Sequence, residues 1–383
     1  MKRIDDQADH GALVKGGHDD RMRQDFAFAL RNYVTSELMP ANRLVYEARV
    51  KPAAARASGA APDSSRAVRS AMEQDSFYTF YVSARRTSQE LIWSSVIPAV
   101  ETSPPAEPAV GGPGSLTLNP DVVVPAYVDS LDIHCMPGGY TGAAGADDAR
   151  VGAVYDRGVY LYMSGLMGPF NDGVGQLAAR WLKARQPDFQ PRRILDLGCG
   201  VGHATLPYCD LYPQAEVHGV DVGAGLLRYG HARAQSLGKA VHFTQANAEA
   251  TGFADASFDL VMSHIVLHET SMRGLPAILR ECRRLLKPGG IMLHIDQPSF
   301  SDLDPFQCFL QENETYYNNE PFWRQYRKLD LAALAVEAGF AADAVETDVL
   351  TAAVVQQSQN NEKVAADSAA ARKRGFGVLL ARA

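Results

Sequence analysis

Cysteine is scarce in this chain of 383 residues. Cys135, Cys199, Cys209, Cys282 and Cys308 form an odd set without the close spacing of metal-binding pairs. That excludes a disulfide scaffold or a zinc ribbon, and it predicts reduced thiols, no metal site and a cytoplasmic setting. Positive charge is also in deficit. Lys and Arg number 37 against 44 Asp and Glu, a net charge of −7. A nucleic-acid groove normally leaves a basic footprint, so nucleic acid is not expected as a partner. No stretch approaches the ~18 apolar residues needed to cross a bilayer, so no membrane partner is expected. The start, Met1 to Gln7, lacks an apolar segment, and a secretory leader is not expected. There is no internal repeat.

What the chain does have is an ordinary globular balance, 46% hydrophobic and 21% charged residues. Its length favours two structural units. Residues 1–24 are polar and rich in Asp, His and Gly, which predicts a flexible terminus. Residues 25–189 read as a mainly helical region. Apolar positions recur at helical spacing from Asp25 to about Ala48, and a loop is expected from Ala53 to Ser65. Phe77, Phe80, Tyr81 and Ala84 fall on one helical face, with the helix running through Trp93. Their aromatic cluster suits either core packing or a homodimer surface. Glu101 to Gly114 has linker composition, and helices follow over about 151–163 and 172–184. Residues 190–383 alternate short strands, centred on Ile194, Val217, Phe243, Val261 and Ile291, with amphipathic helices. Such a series builds a parallel sheet covered on both faces. Two last strands, 344–350 and 376–381, have no helix between them and predict an antiparallel hairpin.

The most informative segment is Arg193 to His203. An apolar run ends in Asp196, then Gly198, Gly200 and Gly202 occupy alternate positions before a helical pattern. Residues without a Cβ let a ligand approach the backbone. A second strand ends in Asp221, where a carboxylate can accept both hydroxyls of a ribose. After the third strand, Asn247 can hydrogen-bond an adenine edge while Ala248 leaves room for the ring. The fourth strand carries Ser263 and His264 to the same edge. Two nucleoside cofactors suit this edge, a nicotinamide dinucleotide or S-adenosyl-L-methionine. The spacing G-x-G-x-G departs from the dinucleotide fingerprint, and the Asp196 carboxylate suits a cationic amino-acid end better than a pyrophosphate.

On these residues the C-terminal half resembles a class I S-adenosylmethionine-dependent methyltransferase. Ile194 to Gly202 matches the first motif of that family, Asp221 its ribose acid, Asn247 to Glu249 its adenine loop with Asn for Asp, and Leu286 to Gly290 its late motif. The resemblance implies an α/β fold, a seven-stranded Rossmann-like sheet with the last strand antiparallel, joined to the helical N-terminal cap. It implies S-adenosyl-L-methionine held by Asp196, Gly198, Cys199, Gly200, Gly202, Asp221, Val222, Asn247, Ala248, Ser263 and His264. It also implies that a helix before the sheet covers the cofactor, bringing Tyr155 or Tyr162 near the sulfonium; core packing is the alternative for both.

Methyl transfer needs a nucleophile held in line, exclusion of water and sometimes removal of a proton. His264 and His268 lie four apart and would share a face on a helical turn. His268 is a candidate base or acceptor-orienting group and Glu269 its orienting partner, against the alternative that His268 satisfies a buried backbone group. The order H-x-x-x-H-E lacks a third metal ligand. Asp296, at the end of the fifth strand, would face the crevice or cap a loop. His134 and Tyr140, in a Gly-rich loop, are candidate substrate contacts, with a structural turn as the alternative. Tyr317 and Trp323 belong to an aromatic insertion over 312–327; the resemblance implies that it roofs the acceptor pocket and favours a flat or apolar small molecule, with a packed surface helix as the alternative. The expected function is methyl transfer to an O or N nucleophile, less readily C, of a small metabolite such as one of secondary metabolism. A non-methylating reaction on the same cofactor, such as a rearrangement, and a non-catalytic assembly module are the rival readings.

Overall fold

The computed structural model describes residues 3–142, 145, 148–301, 303–351 and 375–383. The polar loop expected up to Arg374 lies outside the described residues between 352 and 374. Eight strands form one sheet in the order β1-β4-β3-β2-β5-β6-β8-β7. These are β1 (Ser115–Thr117), β2 (Arg193–Leu197), β3 (Glu216–Asp221), β4 (Val241–Gln245), β5 (Phe258–His264), β6 (Leu286–Asp296), β7 (Val345–Leu350) and β8 (Phe376–Arg382). Only β8 runs antiparallel to its neighbours β6 and β7. The expected hairpin and antiparallel last strand are therefore present. Seven strands come from the C-terminal half. The eighth corrects the expected count: β1 follows the Pro/Gly-rich linker and pairs in parallel with β4. Three residues carry no readable periodicity, so pairing geometry alone makes this strand.

Side chains alternate along the central strands, so both faces are apolar and both are covered. Ile194, Val217, Leu260 and Leu293 pack under α8 (Gly173–Arg185), α9 (Leu206–Leu211) and α10 (Ala224–Ser236). Leu195, Val220, Val261 and Met292 pack under α11 (Gly274–Leu285) and α15 (Leu331–Glu337).

The N-terminal region supplies α1 (His18–Tyr33), α2 (Met39–Val45), α3 (Lys51–Ser58), α4 (Ser65–Met72), α5 (Ser76–Thr102), α6 (Ala126–Asp129) and α7 (Arg150–Tyr162). Two five-residue π-helical turns join α1, α2 and α3 into one rod, so half of the loop expected at 53–65 is helix. On α5 the buried face is Tyr78, Tyr81, Val82 and Arg85, and Phe80 is exposed. The helical region shares a core with the sheet layer: Ile92, Trp93 and Val96 of α5 meet Ala153 and Leu161 of α7, then Val201, Leu226 and Tyr229.

The terminus read as flexible is packed. Ile4, Ala12 and Val14 are buried. The Arg157 guanidinium donates to the Ile4 carbonyl and to Gln7 Oε1, both at 2.8 Å. Polar composition misleads there because the arm's hydrogen bonds go to buried side chains of α7 instead of water.

The candidate active site

The cavity lies at the carboxyl ends of β2, β3, β4 and β5, where strand order reverses. Ligands bind at such switch points because loops diverge from the sheet there. Its floor is the glycine turn. Gly198 and Cys199 both donate backbone N–H to the Val220 carbonyl, at 2.8 and 3.0 Å. Gly198 has φ +68°, and a Cβ there would sit 2.8 Å from Val266. Gly200, at φ +52°, would meet only Tyr155, at 3.8 Å. With Gly202 at φ +78°, the turn needs the left-handed region three times, and Gly200 leaves backbone open to the cavity.

Asp221 closes the end of β3. Its carboxylate accepts from Gly200 N and Gly223 N, both at 2.9 Å. Burial raises its pKa, and these backbone donors oppose the rise. A carboxylate offers about four lone-pair sites, so acceptor capacity remains for a ligand's hydroxyls. Asp196 is 1% exposed; its Oδ2 accepts from Thr205 at 2.6 Å while Oδ1 has no hydrogen-bond partner among the described residues. His264 faces it, with Nδ1 3.6 Å from Asp196 Oδ1 and also unpartnered. The Tyr208 hydroxyl lies 3.1 Å from His264 Nε2. When Tyr208 donates there, His264 Nδ1 carries the proton. The cavity then offers one buried acceptor and one buried donor side by side, matching the two ends of an α-amino acid. Leaving such groups unsatisfied costs ~1–3 kcal/mol each, so the pair calls for a zwitterionic ligand.

Asn247 and Ala248 line the opposite end. Asn247 Oδ1 accepts from Glu249 N at 2.9 Å, and the Glu249 carboxylate takes the Tyr127 hydroxyl of α6 at 2.7 Å. Helix α6 is thereby tied over the adenine-type loop. Tyr155 of α7 stacks on His203 with ring centroids 5.7 Å apart, and Tyr140 meets its edge at 5.8 Å.

At the remaining wall, Glu269 Oε1 accepts from Tyr140 Oη at 2.9 Å and from His134 Nε2 at 3.0 Å. His134 Nδ1 lies 3.2 Å from Glu320 Oε1. Glu320 Oε2 lies 3.4 Å from His268 Nε2, and His268 Nδ1 is 2.5 Å from Asp296 Oδ1. Burial disfavours charge on both imidazoles, but the carboxylates outweigh it. Glu320 and Glu269 hold the His134 pKa well above its ordinary 6.5. Asp296 and Glu320 push His268 up to about 10. Both rings thus lie between carboxylates that favour their charged form, and Asn318 Nδ2 lies 2.9 Å from His134 Nδ1. The wall also holds strain: His134 (φ 55°) and the β-branched Ile265 (φ 60°) are left-handed, a cost of order 1–3 kcal/mol each. Gln89 and Trp93 of α5 hold the His134 carbonyl at 2.9 and 2.7 Å.

The structure brings Tyr155, Asp196, Gly198, Cys199, Gly200, Asp221, Val222, Asn247, Ala248, His264, His134, Tyr140 and Glu269 to the cavity. It does not bring there seven others expected at the site. Gly202 lies beneath, where a Cβ would touch Phe243. Ser263 points to the α11 face and bonds His294 at 2.7 Å, as strand alternation requires. Tyr162 sits behind His134, with the Arg31 guanidinium over its ring. His268 and Asp296 are 1% exposed and bond each other. His264 ends β5, whereas His268 lies in the 3-10 turn Leu267–Glu269, so the helical face expected to join them does not form. Trp323 packs edge-on against His268 at 5.1 Å, and Tyr317 packs against the N-terminal helices. Sequence reasoning missed His203, Tyr127, Ile133 and Glu320. His203 directly follows Gly202 and was within reach; Ile133 and Glu320 lie in the Gly-rich loop and the aromatic insertion already singled out, and Tyr127 carries no local signal.

Among the described residues no His/Cys/Asp/Glu group could hold a metal, and no helix is long and apolar enough to cross a membrane.

Residues 194–290 match the methyltransferase domain family. The chain is 36% identical over 119 residues to malonyl-[acyl-carrier protein] O-methyltransferase of Halorhodospira halophila, covering 31% of this chain and 39% of that protein. It is 36% identical over 121 residues to a ubiquinone biosynthesis O-methyltransferase of Cereibacter sphaeroides, covering 31% and 47%. The match thus spans less than half the length of either relative. Among solved structures, phosphoethanolamine N-methyltransferase 2 of Haemonchus contortus in complex with S-adenosyl-L-methionine is similar at 19% identity and a TM-score of 0.39, covering 54% of this chain and 51% of that one.

Proposed function

We propose that this chain, which carries a class I S-adenosylmethionine-dependent methyltransferase domain, transfers a methyl group to an oxygen or nitrogen of a small aromatic or apolar metabolite. The observation that carries the reading is the buried, unpartnered pair of Asp196 Oδ1 and His264 Nδ1 beside the glycine turn. They suit the ammonium and carboxylate of the cofactor, Asp221 its ribose hydroxyls, and Asn247 with Ala248 its adenine. When bound, S-adenosyl-L-methionine supplies an electrophilic methyl group on a sulfonium.

The chain's own residues then hold, orient and exclude water. Tyr155 and His203 form an aromatic wall, and α6 with Tyr127 closes the adenine end. Glu269 is the titratable group presented to the acceptor side. His268, proposed from sequence as the base, acts here as a positioning residue, because its Nδ1 is held by Asp296 and its Nε2 faces Glu320 at 3.4 Å, away from the cavity lining. Five free thiols suit a reducing, cytoplasmic setting. The exposed Met22, Phe26, Tyr33 and Phe80 support a homodimer through the helical region.

The test is calorimetry with S-adenosylhomocysteine and with NAD. Binding of the first and not the second supports the reading; binding of NAD alone overturns it.

A further inference from the structure

We infer that the acceptor presents a neutral or cationic hydrogen-bond donor, a hydroxyl or an amine, to Glu269, and that carboxylate and phosphate acceptors are refused. The inference rests on the methyl-transfer reading and narrows its substrate class.

Three observations carry it. First, Glu269 lines the cavity with one carboxylate oxygen committed and one open. Oε1 takes both Tyr140 Oη and His134 Nε2, while Oε2 has no partner among the described residues. An ionised carboxylate only accepts, so the group that meets Oε2 must donate.

Second, among the described residues no cationic group is left to receive an anion. Among the described residues no Lys or Arg lines the cavity. His134 is spent on Glu269 and Glu320, and His268 on Asp296 and Glu320. Cavity residue His203 directs Nε2 to Asp156, 2.9 Å away.

Third, the charge count at this wall is one-sided. Three carboxylates, Asp296, Glu320 and Glu269, stand here against two imidazoles, His134 and His268. A second carboxylate at Oε2 would meet uncompensated repulsion in a poorly solvated site, whereas an ammonium or hydroxyl meets attraction.

The chemistry balances. The nucleophile's lone pair forms the new bond to the methyl carbon, and the carbon–sulfur bond breaks with its pair staying on sulfur. The proton shed by a hydroxyl, or by an ammonium before attack, passes to Glu269 Oε2.

The experiment uses full-length protein saturated with S-adenosylhomocysteine and two matched probes, 4-methylbenzylamine and 4-methylbenzoate, with binding followed by ligand-observed NMR. The amine should bind roughly tenfold or more tighter, the scale of one charge-assisted hydrogen bond. In Glu269→Gln that preference should fall by about the same factor. Benzoate binding as tightly as the amine, or neither probe binding, overturns the inference, and this wild-type comparison stands even if the variant folds poorly. An unchanged preference in a folded E269Q overturns the role of Glu269. Failure of S-adenosylhomocysteine itself to bind is a different result, and removes the methyl-transfer reading on which the inference rests.

Discussion

Asp221 organises two backbone N–H groups and still faces the cavity, so its removal acts on the ligand and on the loop together. Asp221→Ala should weaken S-adenosylhomocysteine binding by about 10- to 100-fold, the range for losing charged hydrogen bonds. Calorimetry at constant salt measures it. His268 makes a second residue-scale prediction, on pH. Its folded pKa stands near 10, above the ordinary 6.5, because Asp296 and Glu320 flank it. Its stabilising contribution is therefore complete below pH 6.5 and is lost as pH climbs through about 10. His134, between Glu320 and Glu269, acts in the same direction. Thermal unfolding followed across that window should show a falling Tm, with a lower starting Tm and a shallower fall in His268→Gln. A Tm that rises with pH in the wild type would contradict the locked cation. Five members of this wall, His134, Tyr140, Glu269, His268 and Asp296, were legible as candidates from the chain, but their linkage through Glu320 was not. Glu269 stands in a conspicuous His-Glu run, but Glu320 is 51 residues further on and reaches His134 only because the segment after α13 (Asn313–Tyr317) folds back.

Helix α7 sets the height of the roof. Two of its small residues decide how closely it approaches its neighbours. A Cβ on Gly152 would stand 2.2 Å from Tyr229 Cβ of α10, and one on Gly158 would stand 2.1 Å from the Trp93 ring of α5. Gly152→Ala or Gly158→Ala should cost about 1–3 kcal/mol of stability by overpacking, read from denaturant midpoints. Gly152→Ala should also weaken cofactor binding, because α7 carries Tyr155. The existence of α7 was readable from its spacing, as were α5, α8, α10 and α11. Which face each helix buries was less so. α5 turns Tyr78 inward and Phe80 outward because a long helix packed on several sides has no single apolar stripe for periodicity to reveal. The 3-10 turn at Leu267–Glu269 was read as a helical turn for a related reason: three residues are too few to set a period.

At the scale of the molecule, one buried carboxylate joins the N-terminal arm to the cofactor loop. Asp156 of α7 receives His10 at 3.0 Å, Gln7 at 3.2 Å, His203 at 2.9 Å and Tyr229 at 2.8 Å. Burial opposes its charge, but His203, His10 and Arg233 hold its pKa well below the ordinary value. Breaking such a hub from one side leaves a buried charge short of partners, a loss of roughly 3–5 kcal/mol for an ion pair. Removal of residues 1–15 should therefore lower Tm and weaken S-adenosylhomocysteine binding, although none of the described residues among them lines the cavity. An unchanged affinity would confine the arm to a structural role. The sequence by itself determined the sheet, its antiparallel last strand and the cofactor edge. These depend on contiguous strand–turn–helix segments, whose periodicity, glycines and terminal acids act over a few residues. Only the tertiary structure decided the acceptor wall, the packed arm and the eighth strand. Each joins side chains or backbone from segments dozens to hundreds of residues apart, and loop closure between such segments leaves no local pattern in the chain.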